Sequence, residues 1–255
     1  ITGLGYSFHG ETKRRKLLTM LVSSLYKLAL KKSNSVIFQN LDSRDIFVKK
    51  GIIPFSKTYV VNGSGVDIKR FPITKLPNEN ITFLCLSRLL GEKGLREYSE
   101  AAKIVKNKFP DAVFNLLGPE DSSFDAISLV EVESWSDFVN YKGVVDDVRE
   151  CISASHIYVL PSYHEGLPRS VLEAMSMGRP IITTDAVGCR ETVEEGVNGF
   201  KVPVKSVESL VEKMIWFINN SDRIRTMGLK SRKIVENRFD VQKVNKKILK
   251  IMNIK

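Results

Sequence analysis

The 255-residue chain carries 39 Lys and Arg against 29 Asp and Glu, a formal net charge of +10, and 43% of its residues are hydrophobic. This composition is typical of a globular protein, and no apolar run approaches the ~20 residues that a membrane-spanning helix needs. Cys85, Cys151 and Cys189 lie far apart without the spacing of a metal site, which favours a reduced, cytosolic compartment over a disulfide framework.

Positive charge is concentrated at the front of the chain. Residues 1–72 hold 13 Lys and Arg and 4 Asp and Glu, whereas residues 73–255 hold 26 and 25. Such a block indicates an anionic partner: nucleic acid, a membrane surface or a phosphorylated ligand. Aromatic residues are not interleaved with the basic run, as the stacking of bases would require, so we expect no nucleic acid.

The basic run itself, Lys13, Arg14, Arg15 and Lys16, opens a predicted helix over Lys13–Lys32. Two interpretations stay open for this helix. It is either a core helix with a solvated basic start, or a surface helix that contacts anionic headgroups or a diphosphate-lipid acceptor.

The rest of the front part alternates between strand and helix. The predicted elements are the strand Ser35–Gln39, the helix Asp42–Lys50 with Asp42 as its N-cap, and the strand Lys57–Val61. Turn-forming residues over 62–67 and two prolines in Phe71–Asn80 then predict a linker.

The pattern after the linker is that of an α/β unit. The predicted strands are Ile81–Ser87, Ala112–Leu117 and Phe138–Lys142, and the predicted helices are Leu95–Lys108 and Val148–Ala154. Arg88 and Lys93 lie on either side of Gly91, in the loop after the first of these strands. Two cations at the carboxyl end of a strand suit a diphosphate, and a solvated pair of charges is the alternative.

A strand–loop–helix–strand unit follows. Its predicted elements are the strand His156–Pro161, the helix Arg169–Met177 with Pro168 at its start, and the strand Ile181–Thr184. Glu165 lies in the loop and Glu173 on the helix, beside the crevice in which open α/β sheets bind ligands. Without further information, a solvated loop glutamate and a helix-face glutamate remain the alternative. Three helices, about Val207–Asn219, Asp222–Asn237 and Val241–Met252, close the chain.

The decapeptide Glu165–Ala174, EGLPRSVLEA, resembles the Glu-x7-Glu motif of the retaining glycosyltransferases of family 4, which have the GT-B fold. The resemblance implies that Glu165 and the backbone amides of Gly166 and Leu167 hold the donor sugar, and that Glu173 holds the ribose. The segment Ser87–Gly94 is similar to the family's Ser-Arg-x4-Lys-Gly motif, so Arg88 and Lys93 are expected to grip the donor diphosphate.

Further matches extend this resemblance along the chain. Residues 62–67 resemble the Asn-Gly-Val-Asp signature of the domain junction, with Ser-Gly inserted, and Glu191 matches a Gly-x-x-Glu position. Thr2 occupies the place of a sugar-contacting His in many members. The nucleotide base is expected near Gly118 and Val145, at the ends of the next two strands.

The fold that the resemblance implies is α/β, with two Rossmann-like domains built on parallel sheets. Three parts are expected: a partial acceptor-side domain over residues 1–71, a complete donor domain over residues 72–240, and a helix over residues 241–255 that packs back toward the front domain. We therefore expect the chain to be a fragment that binds the donor without transferring it.

The implied activity is a retaining transfer of a hexose or N-acetylhexosamine from a UDP-sugar to a lipid-diphosphate-linked saccharide. Gly-Leu-Gly-Tyr at residues 3–6 is similar to the branch that extends undecaprenyl-diphosphate-linked sugars with N-acetylgalactosamine. Glu165, Arg88 and Lys93 would be the catalytic residues. The chain has no Asp-x-Asp and no zinc motif, so no metal or cofactor is expected beyond the donor.

Two other functions remain open at this stage: a nucleotide-sugar-binding module without catalysis, and a sugar-nucleotide epimerase on the same fold. The expected location is cytoplasmic, peripheral to the inner face of the cell membrane, with Lys13, Arg14, Arg15 and Lys16 on the anionic lipid surface.

Overall fold

The computed structural model describes residues 1–2 and 13–254, except for the side chains of residues 13–15. Within these ranges the chain forms nine α-helices and eight β-strands. The helices are α1 (Lys13–Leu30), α2 (Leu41–Lys49), α3 (Leu95–Lys108), α4 (Leu129–Glu133), α5 (Val148–Ser153), α6 (Arg169–Ser176), α7 (Val207–Asn219), α8 (Ser221–Ile234) and α9 (Val241–Ile251). The strands are β1 (Val36–Phe38), β2 (Thr58–Val60), β3 (Thr82–Leu86), β4 (Val113–Leu117), β5 (Asn140–Tyr141), β6 (Ile157–Leu160), β7 (Ile181–Thr184) and β8 (Gly199–Val202).

The strands form two parallel sheets. β1 and β2 pair in the front part, and the other six strands lie in the order β5-β4-β3-β6-β7-β8. From β3 the chain builds outward through β4 and β5, then returns to β6 on the other side of β3 and builds outward again. The loops after β3 and β6 therefore leave the sheet on opposite sides, and a crevice forms between them.

The six-stranded sheet is buried on both faces, as its apolar runs require. Alternate residues of β3 point to opposite sides. Phe83 and Cys85 pack with α3 and α7 in one hydrophobic cluster, and Leu84 and Leu86 pack with α6 in the other. This two-sided core holds the carboxyl ends of β3 and β6 in fixed positions beside the crevice.

The front part has a smaller core. Its centre is the edge-to-face contact of Phe38 and Phe47, whose ring centroids are 5.2 Å apart. α1 contributes Tyr26 and Leu30 to this core. The remainder of α1 exposes large apolar side chains, namely Leu17, Leu18, Met20, Leu21, Leu25 and Leu28.

The chain crosses between the front part and the larger sheet at two adjacent places. Val66 donates its N–H to the carbonyl of Phe239, and Val241 donates its N–H to the carbonyl of Val66. Gly65 has φ +72°, and a Cβ there would lie 2.8 Å from the Cα of Val241. The start of α9 thus packs against the end of the front part, whereas the domain boundaries at 71/72 and 240/241 stay a prediction.

The segment predicted as a linker is anchored rather than free. Arg179 is 1% exposed, and its guanidinium donates to the carbonyls of Thr74 and Lys75 and to the hydroxyl of Thr74. It also donates to the carbonyls of Ile152, Ser153 and Met177. Burial lowers the pKa of Arg179 to about 10. This cation therefore fastens residues 74–75 to the core of the large sheet.

Three local features differ from the prediction. Asn40, not Asp42, caps α2: it has extended backbone angles, and its Oδ1 accepts the N–H of Ser43 at 2.8 Å. The short helix α4, capped by Ser128, was not predicted at all. The helix expected to continue to residue 237 ends at Ile234 and passes into a π-helical turn, Val235–Phe239. No helix within the described residues is long and apolar enough to cross a membrane.

Candidate active site

The crevice between β3 and β6 contains a close ion pair. The Lys93 Nζ lies 2.8 Å from the Glu165 Oε1, and the two side chains are only 12% and 18% exposed. Gly94 makes this approach possible, because it has φ +71° and a Cβ there would lie 2.1 Å from the carbonyl oxygen of Pro161. The turn that carries Lys93 is thus pressed against the end of β6, just before the loop that carries Glu165.

The side chains of Glu92 and His164 lie beside this pair. The Glu92 Oε1 lies 3.7 Å from the Lys93 Nζ, and the Glu92 Oε2 lies 3.6 Å from the His164 Nε2. The N–H of Glu92 donates to the Asp125 Oδ2 at 2.6 Å, which fixes the turn. Lys93 therefore lies between two carboxylates, in a part of the crevice where its charge is poorly screened by water.

Arg88 lies on the same loop but contacts another group. Its Nη1 is 2.6 Å from the Asp121 Oδ2, and the arginine is 56% exposed whereas Asp121 is 11% exposed. Hydrogen bonds from Ser123, and then Arg88, lower the pKa of Asp121. The structure does not place Arg88 against the Lys93–Glu165 pair, so the two predicted diphosphate ligands have separate internal partners.

Glu173 projects from α6, and it forms an i,i+4 pair with Arg169 at 3.1 Å. Its side chain is 13% exposed. Burial raises the pKa of Glu173, and Arg169 opposes that shift. Pro168 occupies the N-cap position, one residue earlier than expected, and it provides no side-chain cap. The first N–H groups of α6 are therefore available to a ligand.

The loop between Glu165 and α6 presents backbone amides. The N–H of Glu165 donates to the carbonyl of Val187 at 2.8 Å. The N–H groups of Gly166 and Leu167 donate no hydrogen bond within the described part of the chain. Gly166 packs closely on the front segment, since a Cβ there would lie 1.5 Å from the carbonyl oxygen of Thr2. These two donors could therefore serve a hydroxyl-bearing ligand.

Gly118 and Val145 do not join the charged cluster. Gly118 has φ +144°, and a Cβ there would lie 1.8 Å from the carbonyl oxygen of Ser87. Its N–H donates to the carbonyl of Gly143, and its carbonyl accepts from the Tyr141 hydroxyl. Val145 packs at the margin of the hydrophobic cluster below the sheet. Their expected role beside the nucleotide base stays a prediction.

Several polar residues of this region were not predicted from the sequence: Glu92, Asp121 and His164. Each follows or flanks a strand end that carries a predicted ligand, which is the signal that could have identified them. Glu191, matched to a family position, has a raised pKa caused by burial, and its Oε2 is buried without a hydrogen-bond partner in the described residues. Across the same residues, no group of three or more His, Cys, Asp and Glu side chains is arranged to hold a metal ion.

Comparison with known proteins identifies the family. Residues 67–252 match the model described as glycosyl transferases group 1. The chain belongs to this family of glycosyltransferases. The match includes every predicted site residue from Arg88 to Glu173, so the Lys93–Glu165 pair and the α6 glutamate lie within the family domain.

Two relatives show which glycosyltransferases it resembles. The chain is 31% identical over 227 residues to an N,N'-diacetylbacillosaminyl-diphospho-undecaprenol alpha-1,3-N-acetylgalactosaminyltransferase of Campylobacter jejuni, covering 84% of this chain and 59% of that protein. It is 25% identical over 258 residues to a UDP-Gal:alpha-D-GlcNAc-diphosphoundecaprenol alpha-1,3-galactosyltransferase of Escherichia coli, covering 94% of this chain and 64% of that protein. The chain thus spans about three-fifths of the length of these relatives.

Solved structures confirm the GT-B fold. Anabaena HepE in complex with UDP superposes with a TM-score of 0.82 at 22% identity, covering 99% of this chain and 71% of that one. TarM superposes with a TM-score of 0.77 at 18% identity, covering 99% of this chain and 48% of that one. The expected α/β class with parallel sheets is therefore confirmed.

Proposed function

We propose that the protein containing this chain is a retaining glycosyltransferase. It transfers a hexose or an N-acetylhexosamine from a UDP-sugar to a lipid-diphosphate-linked saccharide during cell-surface glycan synthesis. The names of the Campylobacter and Escherichia relatives support the acceptor class and the sugar class. The observation that carries the proposal is the partly buried Lys93–Glu165 pair at the point where the strand order reverses, beside the amides of Gly166 and Leu167, which donate no hydrogen bond within the described residues.

In the proposed mechanism the protein stabilises the charges that develop as the glycosidic bond breaks. As the bond between the sugar C1 and the diphosphate oxygen breaks, negative charge grows on the phosphate and positive charge grows on the sugar ring. Lys93 and Arg88 stabilise the phosphate, and the carboxylate of Glu165 orients the sugar. The departing phosphate takes the proton of the acceptor hydroxyl, so the protein supplies no nucleophile. We propose that these two cations let the transfer proceed without a metal.

Donor binding would exchange internal partners for ligand atoms. Lys93 is held by Glu165, Arg88 by Asp121, and Arg169 by Glu173. Non-bridging oxygens of the diphosphate would replace the carboxylates that pair with Lys93 and Arg88. Glu165 would then turn toward the sugar and Glu173 toward the ribose. These exchanges keep the two cations, Lys93 and Arg88, paired before and after the donor binds, which limits the cost of desolvating them.

We also propose that α1 contacts the membrane surface. Its outward side exposes five large apolar side chains to between 55% and 72%, namely Leu17, Met20, Leu21, Leu25 and Leu28. The basic run Lys13–Lys16 begins the same helix, although the side chains of residues 13–15 lie outside the described structure. An apolar face beside a cluster of basic residues is the combination that anionic bilayers bind. The protein would then work at the cytoplasmic face of the cell membrane, where a lipid-linked acceptor is accessible.

Two assays test the proposal in order. Thermal-shift measurements with UDP, GDP and ADP, and with their sugars, should show stabilisation by UDP and UDP-sugars alone. The full-length gene product should then transfer labelled N-acetylgalactosamine, galactose or glucose from UDP to an undecaprenyl-diphosphate-linked sugar, with retention at the anomeric carbon. Conversion of one UDP-sugar into its epimer without transfer would instead identify an epimerase. Stabilisation by another base, or by none, would contradict the proposed donor.

A further inference from the structure

Asn40 links the front part of the chain to the loop between β6 and α6, which carries Glu165 and Gly166. It is 2% exposed and lies two residues after the end of β1, directly before α2. Its Oδ1 accepts the N–H of Ser43 and so caps α2, whereas its Nδ2 donates to the carbonyl of Gly166 at 2.7 Å, across 126 positions of the sequence. The two ends of one buried amide thus satisfy two backbone groups in different parts of the protein.

The bond to Gly166 determines the direction of a neighbouring amide. The carbonyl of Gly166 and the N–H of Leu167 belong to the same peptide group, which is trans and planar, so they point in opposite directions. Because Asn40 holds the carbonyl, the N–H of Leu167 must point away from Asn40. That N–H donates no hydrogen bond in the described residues, so its direction is not determined by any other acceptor.

Close packing fixes the two ends of this peptide, and the bond from Asn40 sets the direction of the peptide plane between them. Gly166 contacts the carbonyl oxygen of Thr2, and a Cβ at Gly63 would lie 2.5 Å from the Leu167 Cδ2. Both contacts come from the front part of the chain, one on each residue of the peptide. The first turn of α2 makes a second contact with the larger part of the chain, since the Arg190 Nη1 lies 3.3 Å from the Asp42 Oδ2.

We infer that Asn40 is a positioning residue for the donor sugar: by holding the Gly166 carbonyl, it directs the Leu167 N–H toward a hydroxyl of that sugar. The inference rests on the proposed UDP-sugar donor. Asn40 acts through the peptide and does not itself touch the ligand. It consequently affects recognition of the sugar and leaves recognition of the UDP moiety unchanged.

The test separates the two functions of the Asn40 amide. Asn40→Asp keeps an oxygen that caps α2, because Asp and Asn are comparable N-caps, but it cannot donate to the Gly166 carbonyl when ionised. Calorimetry measures the affinity for UDP and for UDP-N-acetylgalactosamine, UDP-galactose and UDP-glucose. We expect the variant to bind the best UDP-sugar roughly tenfold more weakly, because about one hydrogen bond to the ligand is lost. Its affinity for UDP should stay within about twofold of the parent.

One further variant repeats the test at Asn40, and another is the control. Asn40→Ser also caps α2 but is too short to reach Gly166, so it should repeat the result if Asn40→Asp proves unstable in thermal unfolding. Asp42→Asn weakens the link to Arg190 without changing Asn40, and it should bind UDP-sugars like the parent.

Each other outcome overturns a specific statement. Equal binding of UDP-sugars by the parent and both Asn40 variants, or an equal loss of UDP and UDP-sugar affinity, overturns the positioning role. A loss in Asp42→Asn that matches the loss in Asn40→Asp shows that docking of the two parts matters, not the direction of one amide. A parent chain that binds no UDP-sugar overturns the proposed function, and the inference with it.

Discussion

The ammonium of Lys93 and the carboxylate of Glu165 lie 2.8 Å apart, although 72 positions separate the two residues in the chain. Each belongs to a motif with a different expected ligand, the diphosphate for Lys93 and the sugar for Glu165. Their contact means that the two halves of the proposed donor site are electrostatically coupled. Removing Lys93 deprives the carboxylate of Glu165 of this counter-ion, whereas removing Glu165 leaves Lys93 with Glu92 at 3.7 Å.

Loss of either diphosphate ligand should weaken nucleotide binding. We expect Lys93→Ala and Arg88→Ala each to reduce the affinity for UDP by about 1.5–3 kcal/mol, the usual contribution of a charge-assisted hydrogen bond. Calorimetry with UDP measures this, and Lys103→Ala, an exposed lysine on α3, is the matched control. Unchanged UDP affinity in both site variants would exclude the diphosphate clamp.

The coupling of Lys93 and Glu165 gives a second expectation for the same assay. In Lys93→Ala the carboxylate of Glu165 loses its counter-ion and repels the diphosphate. Combining Lys93→Ala with Glu165→Gln should therefore restore part of the UDP affinity, with a coupling energy of about 0.5–3 kcal/mol. Simple addition of the two single effects would show that the pair does not act as a unit.

Substitutions of the two glutamates should distinguish binding of the nucleotide from binding of the sugar. Glu173→Gln should weaken binding of UDP itself, because the ribose that Glu173 is expected to hold is part of UDP. Glu165→Gln should leave UDP binding nearly intact and weaken UDP-sugar binding, or turnover in the full-length enzyme, by about tenfold, as expected for one charged hydrogen bond. Comparable losses of UDP affinity in both variants would mean that the roles are assigned wrongly.

Glu173 should also make stability depend on pH. Burial raises its pKa, so the folded protein binds that proton more tightly than the unfolded chain. The stability associated with the protonated form is fully present below the unfolded pKa and is lost as the pH rises through the raised folded pKa. Gln carries no charge at any pH. The ligand-free Glu173→Gln variant should therefore have a higher Tm than the parent at pH 7, and the difference should vanish below about pH 4.

Thermal unfolding at the two pH values measures this difference. Glu100→Gln, at an exposed position on α3, is the control and should show no such dependence. A Glu173→Gln variant that is less stable than the parent at pH 7 would show that the pair with Arg169 outweighs the burial of the charge.

The turn that carries Lys93 should not tolerate a side chain at Gly94. Gly94 and Gly196 both have positive φ, +71° and +69°, but only at Gly94 would a Cβ meet neighbouring atoms, 2.1 Å from the carbonyl oxygen of Pro161. Gly196→Ala should cost only the strain of a left-handed residue, about 1–2 kcal/mol. Gly94→Ala should cost more, because backbone must move as well, and it should weaken UDP binding by displacing Lys93. Equal losses of stability in urea unfolding would contradict the close contact.

Binding to anionic vesicles should depend on the start of α1. Replacing Lys13, Arg14, Arg15 and Lys16 by Gln should abolish salt-sensitive sedimentation with phosphatidylglycerol vesicles, at about 1 kcal/mol for each basic residue near the surface. The matched control replaces four exposed lysines of α9, Lys243, Lys246, Lys247 and Lys250, and changes the net charge equally. If both sets of substitutions reduce sedimentation alike, attraction is a matter of net charge and α1 is not a specific contact.

Patterns of neighbouring residues were sufficient to predict much of this protein. The boundaries of β3, β6, β7 and α3 lie within a residue or two of the predicted ones, because apolar runs and the glycine and proline residues between them indicate where each element begins and ends. The Glu165–Glu173 motif and the Arg88–Lys93 loop likewise indicated the family from short stretches alone. Such features are local, because strand burial, helix periodicity and turn chemistry depend on residues close together in the chain.

The partners of the site residues were determined only by the tertiary structure. Lys93 contacts Glu165, Arg88 contacts Asp121, and Asn40 contacts Gly166, because the strand order places β3 beside β6 and the front part packs against the loop between β6 and α6. The misassigned cap of α2 has the same origin: Asn40 and Asp42 are both good capping residues, and the contact of Asn40 with a loop 126 positions away cannot be deduced from its neighbours. Pairing over such distances is a property of the packed sheet, in which burial selects one arrangement of polar groups that leaves few of them unsatisfied.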